Sequence, residues 1–295
     1  MPSYSPHASP AATIAMLKRY GLNTKKSLGQ HFIVDDGVIG KTLRLAGLDK
    51  DSAGRPPSGL PIVEVGPGIG TLTEALLRQG ASVTAIELDE RLQPVLADLE
   101  KRYPGRFAYI MQDALLLQPA DLPAEFDIVA NLPYSIAATL ILDFYQRFAG
   151  LGSATVMVQN EVAMRIMAKP ASKDYGAYTV KLAMIATYQA SFSVARTSFL
   201  PPPRVDSRVV RLQRSDGLED TQADNVEKTR LVVDAAFAER RKTLRNSLIS
   251  NLRVNGSTPE QIDQALLRAG IDGQRRAESL ALDEFKGLIG GFWPA

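Results

Sequence analysis

The chain has 295 residues, 45% of them hydrophobic, which is enough for the core of one large domain and a smaller one. It has no cysteine and only two histidines, His7 and His31. That excludes disulfides, thiolate zinc sites and cysteine nucleophiles, and it leaves little material for a Ser/His/Asp triad or a histidine metal site, so no metal is expected. With 34 basic and 32 acidic residues the net charge is +2, so any nucleic-acid binding must come from local patches.

The first dozen residues, MPSYSPHASPAA, are rich in Pro, Ser and Ala, and 1–20 is expected to be a mobile tail. Residues 1–17 contain no Lys or Arg, and no apolar run approaches the length of a membrane span. A cytoplasmic protein with no membrane partner is expected.

From about residue 60, strand-like and helix-like segments alternate. Leu60–Val65 is a short apolar run ending in glycines, and Thr71–Gln79 follows as a helix with Leu72, Ala75, Leu76 and Leu77 on one stripe. Strands are predicted at Ser82–Leu88, Phe107–Met111, Phe126–Ala130 and Ala154–Val158. Helices are predicted at Asp89–Arg102, with Asp89 as N-cap, and at Ile136–Phe148. This alternation predicts an α/β, Rossmann-like doubly wound sheet, whose ligands bind at the carboxyl ends of the strands. Ser207–Leu212 reads as a late strand after Pro201-Pro202-Pro203. The polar stretch Asp216–Glu227 reads as a linker, and from Thr229 onward the pattern is helical. The expected organisation is therefore a tail over 1–20, a catalytic domain over 21–215, and a smaller helical, RNA-contacting domain over 216–295.

The candidate chemistry lies at the predicted strand ends. Glu64-Val65-Gly66-Pro67-Gly68-Ile69-Gly70 joins a strand to a helix, and its glycines permit a sharp turn and close backbone approach to a ligand. A dinucleotide G-x-G-x-x-G would need glycine at 71, which is Thr71; the E-x-G-x-G-x-G form instead resembles the first motif of S-adenosylmethionine methyltransferases. Glu87, 17 residues beyond Gly70, can accept from both hydroxyls of a ribose, its alternative being a surface carboxylate. Asp113 ends the third strand, where an N-cap is the plainer alternative. Asn131-Leu132-Pro133-Tyr134 ends the fourth strand and resembles the catalytic tetrapeptide of enzymes that methylate amino groups of bases. An adenine amine is a poor nucleophile because its lone pair is delocalised. The Asn131 side-chain oxygen and the Leu132 carbonyl can hold its two hydrogens, Pro133 restricts Leu132 so that its carbonyl is aimed, and Tyr134 offers a ring on which a base can stack. The plainer alternative is an ordinary turn.

Three further stretches narrow the resemblance: Lys26-Ser27-Leu28-Gly29-Gln30-His31-Phe32-Ile33, the run from Thr197 through Pro201-Pro202-Pro203 to Ser207, and Phe237–Leu248 with its basic core. Together with the two motifs above, over roughly residues 20–290, the chain resembles the ribosomal RNA adenine dimethylases, and within them the enzymes of the bacterial small subunit. The resemblance implies S-adenosyl-L-methionine as cofactor, with Gln30, His31 and Ile33 lining its site beside Gly66 and Gly68. Glu87 and Asp113 would hold its ribose and adenine, and Asn131 would sit between cofactor and target. It implies that Phe199 stacks on the base opposite Tyr134, and that the product is N6,N6-dimethyladenosine at two adjacent positions near the 3′ end of 16S rRNA. The expected partner is 16S rRNA within the small (30S) subunit or its precursor, met by a monomer with a role in subunit biogenesis. The phosphate contacts fall to Arg240, Arg241, Lys242 and Arg245, because 216–295 holds 11 basic against 13 acidic residues and has no general positive charge. Lys18, Arg19, Lys25 and Lys26 form a second basic patch. Phe199 as a core aromatic, His31 as a structural histidine and Arg240–Lys242 as a solvated helix face stand as the alternatives.

Overall fold

A computed structural model of the chain describes residues 3–22, 30–48, 61–215, 222–252 and 256–293. These divide into two compact units, 1–163 with 188–214 and 164–187 with 215–295. The expected organisation put 164–187 with the catalytic domain; in the structure its helix α7 (Ala177–Ala183) belongs to the second unit, where Tyr175 and Val180 join the hydrophobic cluster of the C-terminal helices. No local pattern separates a crossover helix of one unit from a packing helix of another.

In chain order the first unit begins with α1 (Pro10–Arg19), β1 (Phe32–Ile33) and α2 (Asp36–Leu45). The α/β alternation follows as β2 (Ile62–Val65), α3 (Thr71–Arg78), β3 (Val83–Glu87), α4 (Gln93–Arg102), β4 (Phe107–Met111), β5 (Phe126–Asn131), α5 (Ala137–Arg147) and β6 (Leu151–Gln159). After α6 (Asn160–Ile166) and α7 come β7 (Ala186–Val194), β8 (Phe199–Leu200) and β9 (Ser207–Arg214). The main sheet has the order β4-β3-β2-β5-β6-β9-β7, and β1 pairs antiparallel with β8 in a separate ribbon. The β4-β3-β2-β5-β6 block is parallel, and β9 runs antiparallel to β6. All four residues of β2 are buried, as a strand covered on both faces requires. The expected α/β, Rossmann-like architecture stands, with the polar motifs at the carboxyl ends of β2, β3 and β5.

The N-terminal segment departs from expectation. Its Pro and Ser residues build a helix rather than a mobile tail: Ser9 caps α1 by accepting from the Ala12 amide, and Pro10 starts it. Upstream, the Tyr4 and Ser5 amides donate to the Asp36 carboxylate at 3.0 and 2.8 Å, Tyr4 lies over Gly40, and His7 pairs with Glu74 at 3.0 Å. Met16 of α1 packs with Phe32 and Ile69.

The second unit also contains α8 (Gln222–Phe237), α9 (Leu244–Leu252), α10 (Pro259–Arg268) and α11 (Leu282–Phe292) around a core that includes Val232, Leu248, Ile262 and Phe285. Thr258 and Gln261 form a reciprocal capping box ahead of Pro259, which sets the start of α10. The expected linker over 216–227 is shorter than its composition indicated: α8 already runs from Gln222, while 216–221 lie outside the described residues.

Candidate active site at the strand ends

The site starts with the turn after β2. Gly66, Gly68 and Gly70 all take left-handed φ, at 73°, 60° and 80°. A Cβ on Gly68 would approach the Phe32 ring to 3.0 Å, and one on Gly70 would meet Leu99 at 2.5 Å, so both position and space demand glycine. This turn presents the Gly68 amide to the Glu87 carboxylate at the end of β3, at 3.2 Å. The other Glu87 oxygen accepts from the Leu88 and Asp89 amides, each at 2.9 Å. Burial raises the Glu87 pKa against the pull of these three bonds. A carboxylate offers about four acceptor positions, so room remains for a hydroxyl donor.

Beside it, Asp89 forms a two-point ion pair with Arg91 and accepts from the Gln30 amide at 2.9 Å; the Arg91 bonds hold its carboxyl down at about 2. Gln30 is thereby fixed across the end of β3. His31 Nδ1 donates to the Pro201 carbonyl at 2.8 Å; since a carbonyl only accepts, that nitrogen carries the hydrogen. Its ring stacks on Tyr134 at 5.5 Å. The Tyr134 hydroxyl, whose pKa burial raises, bonds to Ser207 at 2.5 Å.

Asn131 ends β5 between these groups. Its Nδ2 donates to the His31 carbonyl at 3.1 Å, which fixes the amide. Its Oδ1 is buried and has no hydrogen-bond partner among the described residues. An unpaired buried acceptor costs roughly 1–3 kcal/mol, so its presence at this point asks for a donor from a ligand. Gln30, His31, Ile33, Gly66, Gly68, Glu87, Asn131, Leu132 and Tyr134 all line one pocket with a free volume of about 70 Å³.

Two expected site residues fall outside that pocket lining. Phe199 was expected across the target base from Tyr134; it is 2% exposed, packs in the core with Ile33, its β1–β8 register partner, and is not among the residues lining the pocket, where His31 is the ring stacked on Tyr134. Pairing of β8 with β1 draws that aromatic inward. Asp113 accepts from the Leu115 amide at 2.9 Å as the cap of a short turn and is likewise outside the pocket lining.

One pocket residue was quoted in the glycine motif without a role. Glu64 is 1% exposed in the fully buried β2, its Oε2 has no partner among the described residues, and burial pushes its carboxyl up to about 8. The signal was available, because a carboxylate in an otherwise apolar buried strand is expensive.

In the second unit the basic run lies on the turn between α8 and α9 rather than on a helix face. Arg240 and Arg241 are exposed there. Lys242 pairs with Glu239 at 2.6 Å, and Arg245 holds Asp263 through two bonds of 2.6 and 2.8 Å. Of the N-terminal basic patch, Lys25 and Lys26 lie outside the described residues, as do residues 26–29 of the stretch Lys26–Ile33; Lys18 and Arg19 close α1.

Comparison with known proteins places this arrangement. The sequence pattern of the family described as "Ribosomal RNA adenine dimethylase" matches residues 21–289. A protein of Geobacillus thermodenitrificans named "Ribosomal RNA small subunit methyltransferase A" is 39% identical over 297 residues, 97% of each chain. Among solved structures, the 23S rRNA methyltransferase ErmE is 26% identical with a TM-score of 0.63, over 88% of this chain and 99% of its own. A dimethyladenosine transferase from Plasmodium falciparum shares the fold at 24% identity and a TM-score of 0.70, over 88% of this chain and 96% of its own.

Proposed function

The chain belongs to the ribosomal RNA adenine dimethylase family, and on that premise we propose that its Asn131-Leu132-Pro133-Tyr134 turn holds N6 of adenosines in 16S rRNA for methylation to N6,N6-dimethyladenosine. The observation that carries this reading is the Asn131 Oδ1, buried and unpaired at the end of β5, with the other end of its amide tied to the His31 carbonyl. This oxygen and the Leu132 carbonyl accept the two hydrogens of the amine, and the nitrogen lone pair is thereby turned away from the ring. Tyr134, fixed by Ser207 and stacked on His31, borders the place for a base that has left its own stack. Positioning of this kind is the main source of rate when no base is needed to activate the nucleophile.

Gly66, Gly68 and Glu87, with Gln30, His31 and Ile33, hold S-adenosyl-L-methionine; the glycine cradle and the unpaired Glu64 and Asn131 oxygens in one pocket support the fit. When bound, this cofactor supplies an electrophilic methyl group on a sulfonium sulfur. Arg240 and Arg241, with Lys242 and Arg245 when released from their acidic partners, contact phosphates. The small-subunit assignment rests on the printed name of the relative from Geobacillus thermodenitrificans. The enzyme acts in the cytoplasm, as a monomer, on the small subunit or its precursor; no helix among the described residues is long and apolar enough to cross a membrane.

Mass spectrometry of rRNA digests tests the reading in cells lacking the gene. Dimethyladenosine should return to small-subunit RNA with the wild-type chain and not with Asn131→Ala. Its appearance in large-subunit RNA instead would overturn the substrate assignment.

A further inference from the structure

A second cavity, of about 400 Å³, opens in the first unit beyond the end of β6, and nothing in the methyl-transfer reading uses it. Its wall includes Gln159, Asn160, Glu161, Arg196, Arg204 and Asp206. One run of chain joins it to the active site. Between Phe199 and Ser207 this run gives the Pro201 carbonyl to His31 and the Ser207 hydroxyl to Tyr134, and it places Arg204 and Asp206 in the wall of the second cavity. The sheet supplies a second link: Gln159 is the register partner of Ser207 across β6 and β9. Neighbouring strands lie about 4.8 Å apart, so the second cavity begins within about one strand spacing of the group that positions Tyr134.

The chemistry of the wall is mixed. Arg204 is exposed; Arg196 reaches the Arg204 carbonyl at 3.3 Å and the Asp206 carboxylate at 3.5 Å, a loose pair on the surface. Arg208 braces the cavity from behind by donating to the Asn160 side-chain oxygen at 3.2 Å. Guanidinium groups recognise phosphate oxygens, while amides and carboxylates recognise base edges and ribose hydroxyls. Val205 is the one apolar side chain of the wall, so an apolar ligand would leave the charged and amide groups unmatched, and a bare anion would not use the amides.

We propose that this cavity holds the nucleotide that flanks the target adenosine in the RNA strand, with Arg204 and Arg196 on its phosphate and the Gln159 and Asn160 side chains at its base. The proposal rests on the reading that an RNA adenosine is the substrate. It makes substrate recognition dinucleotide-sized at the site itself, before the exposed arginines of the second unit contribute.

The test uses the full chain with small-subunit particles that lack the modification. Arg204→Ala should raise KM for the particles about tenfold, as loss of a charged hydrogen bond does, with kcat and S-adenosylmethionine affinity unchanged. The log–log salt slope of RNA binding should fall by about one. Asp206→Asn releases Arg196 from its acidic partner and should lower KM, an effect that loss of structure would not produce. The wild-type enzyme should be inhibited more strongly by 5′-phosphorylated adenylyl-adenosine than by adenosine, and Arg204→Ala should erase that preference. If Arg204→Ala does not fold, Gln159→Ala should erase it in its place. Unchanged KM, salt slope and dinucleotide preference in a wild type that methylates would overturn the second site alone, as would a fall in kcat at constant KM. Absence of methyl transfer by the wild type would instead overturn the RNA adenosine reading on which the proposal stands.

Discussion

In the first unit, three of the polar groups lining the pocket are buried and short of partners: Asn131 Oδ1 at the end of β5, Glu64 Oε2 within β2 and Thr71 Oγ1 at the start of α3 have no hydrogen-bond partner among the described residues. In the second unit, half of the polar groups singled out for RNA are exposed and already paired, Lys242 with Glu239 and Arg245 with Asp263. An unpaired buried acceptor has a standing cost that a ligand removes, so it reports on binding. An exposed ion pair is screened, is worth little, and opens at small cost, so it reports on almost nothing until a phosphate competes for it. The cofactor and amine site is therefore legible in the geometry of one unit, and the RNA contacts of the other rest on charge alone.

This contrast can be broken at four points. The largest effect should come from Phe199→Ala, which removes a core aromatic and should cost about 3–5 kcal/mol of stability. A melting temperature close to wild type with lost RNA use would return Phe199 to the base-stacking role it was expected to have.

Next is pH. Burial holds the Glu64 carboxyl up at about 8, from an ordinary value of about 4.5. Across that window the folded chain keeps a proton that the unfolded chain releases, so stability falls as pH rises from about 4.5 to 8 and is flat beyond. The loss is on the order of 5 kcal/mol for this group alone. Urea midpoints for wild type and Glu64→Gln should converge at low pH and part at high pH, with the variant the more stable. Parallel curves would show that Glu64 is not the buried acid described.

Third, Glu87→Ala should weaken S-adenosylmethionine binding by about ten- to a hundredfold through loss of charged hydrogen bonds to the ribose. Calorimetry on the folded variant with unchanged affinity would separate Glu87 from the cofactor.

Smallest in the chain itself is the basic turn. Arg240→Glu with Arg241→Glu should lower RNA affinity and flatten its salt dependence, and leave cofactor binding untouched. Arg245→Ala should change melting only slightly, because its ion pair with Asp263 is exposed. An unaltered salt slope would make this turn a solvated surface.

The same contrast explains what the sequence revealed. The strand Phe107–Met111, the ends of β2, β3 and β5, and the pocket positions of Gly66, Gly68, Glu87 and Asn131 follow from local constraints: buried apolar runs, glycines at positive φ, and a proline that aims a carbonyl; Gln30 and His31 came only from the family resemblance. Phe199 went inward because β8 pairs with β1, a contact 166 residues apart in register at Ile33, which no local pattern records. Asp113 caps its own turn through Oδ1, as a strand-end Asp readily does, and its second oxygen keeps acceptor capacity. The Arg245 partner lies one helix away on α10, and the Pro/Ser-rich start became a helix because its composition supplied caps as well as turns.

The central claim is that Asn131 Oδ1 is the acceptor that holds the amine. Single-turnover methyl transfer at saturating RNA and cofactor tests it in Asn131→Ala, with cofactor affinity measured alongside. The account predicts a loss of about 10²–10³ in rate, the cost of removing one positioned transition-state group, while S-adenosylmethionine still binds. A near-wild-type rate in the folded variant would contradict it.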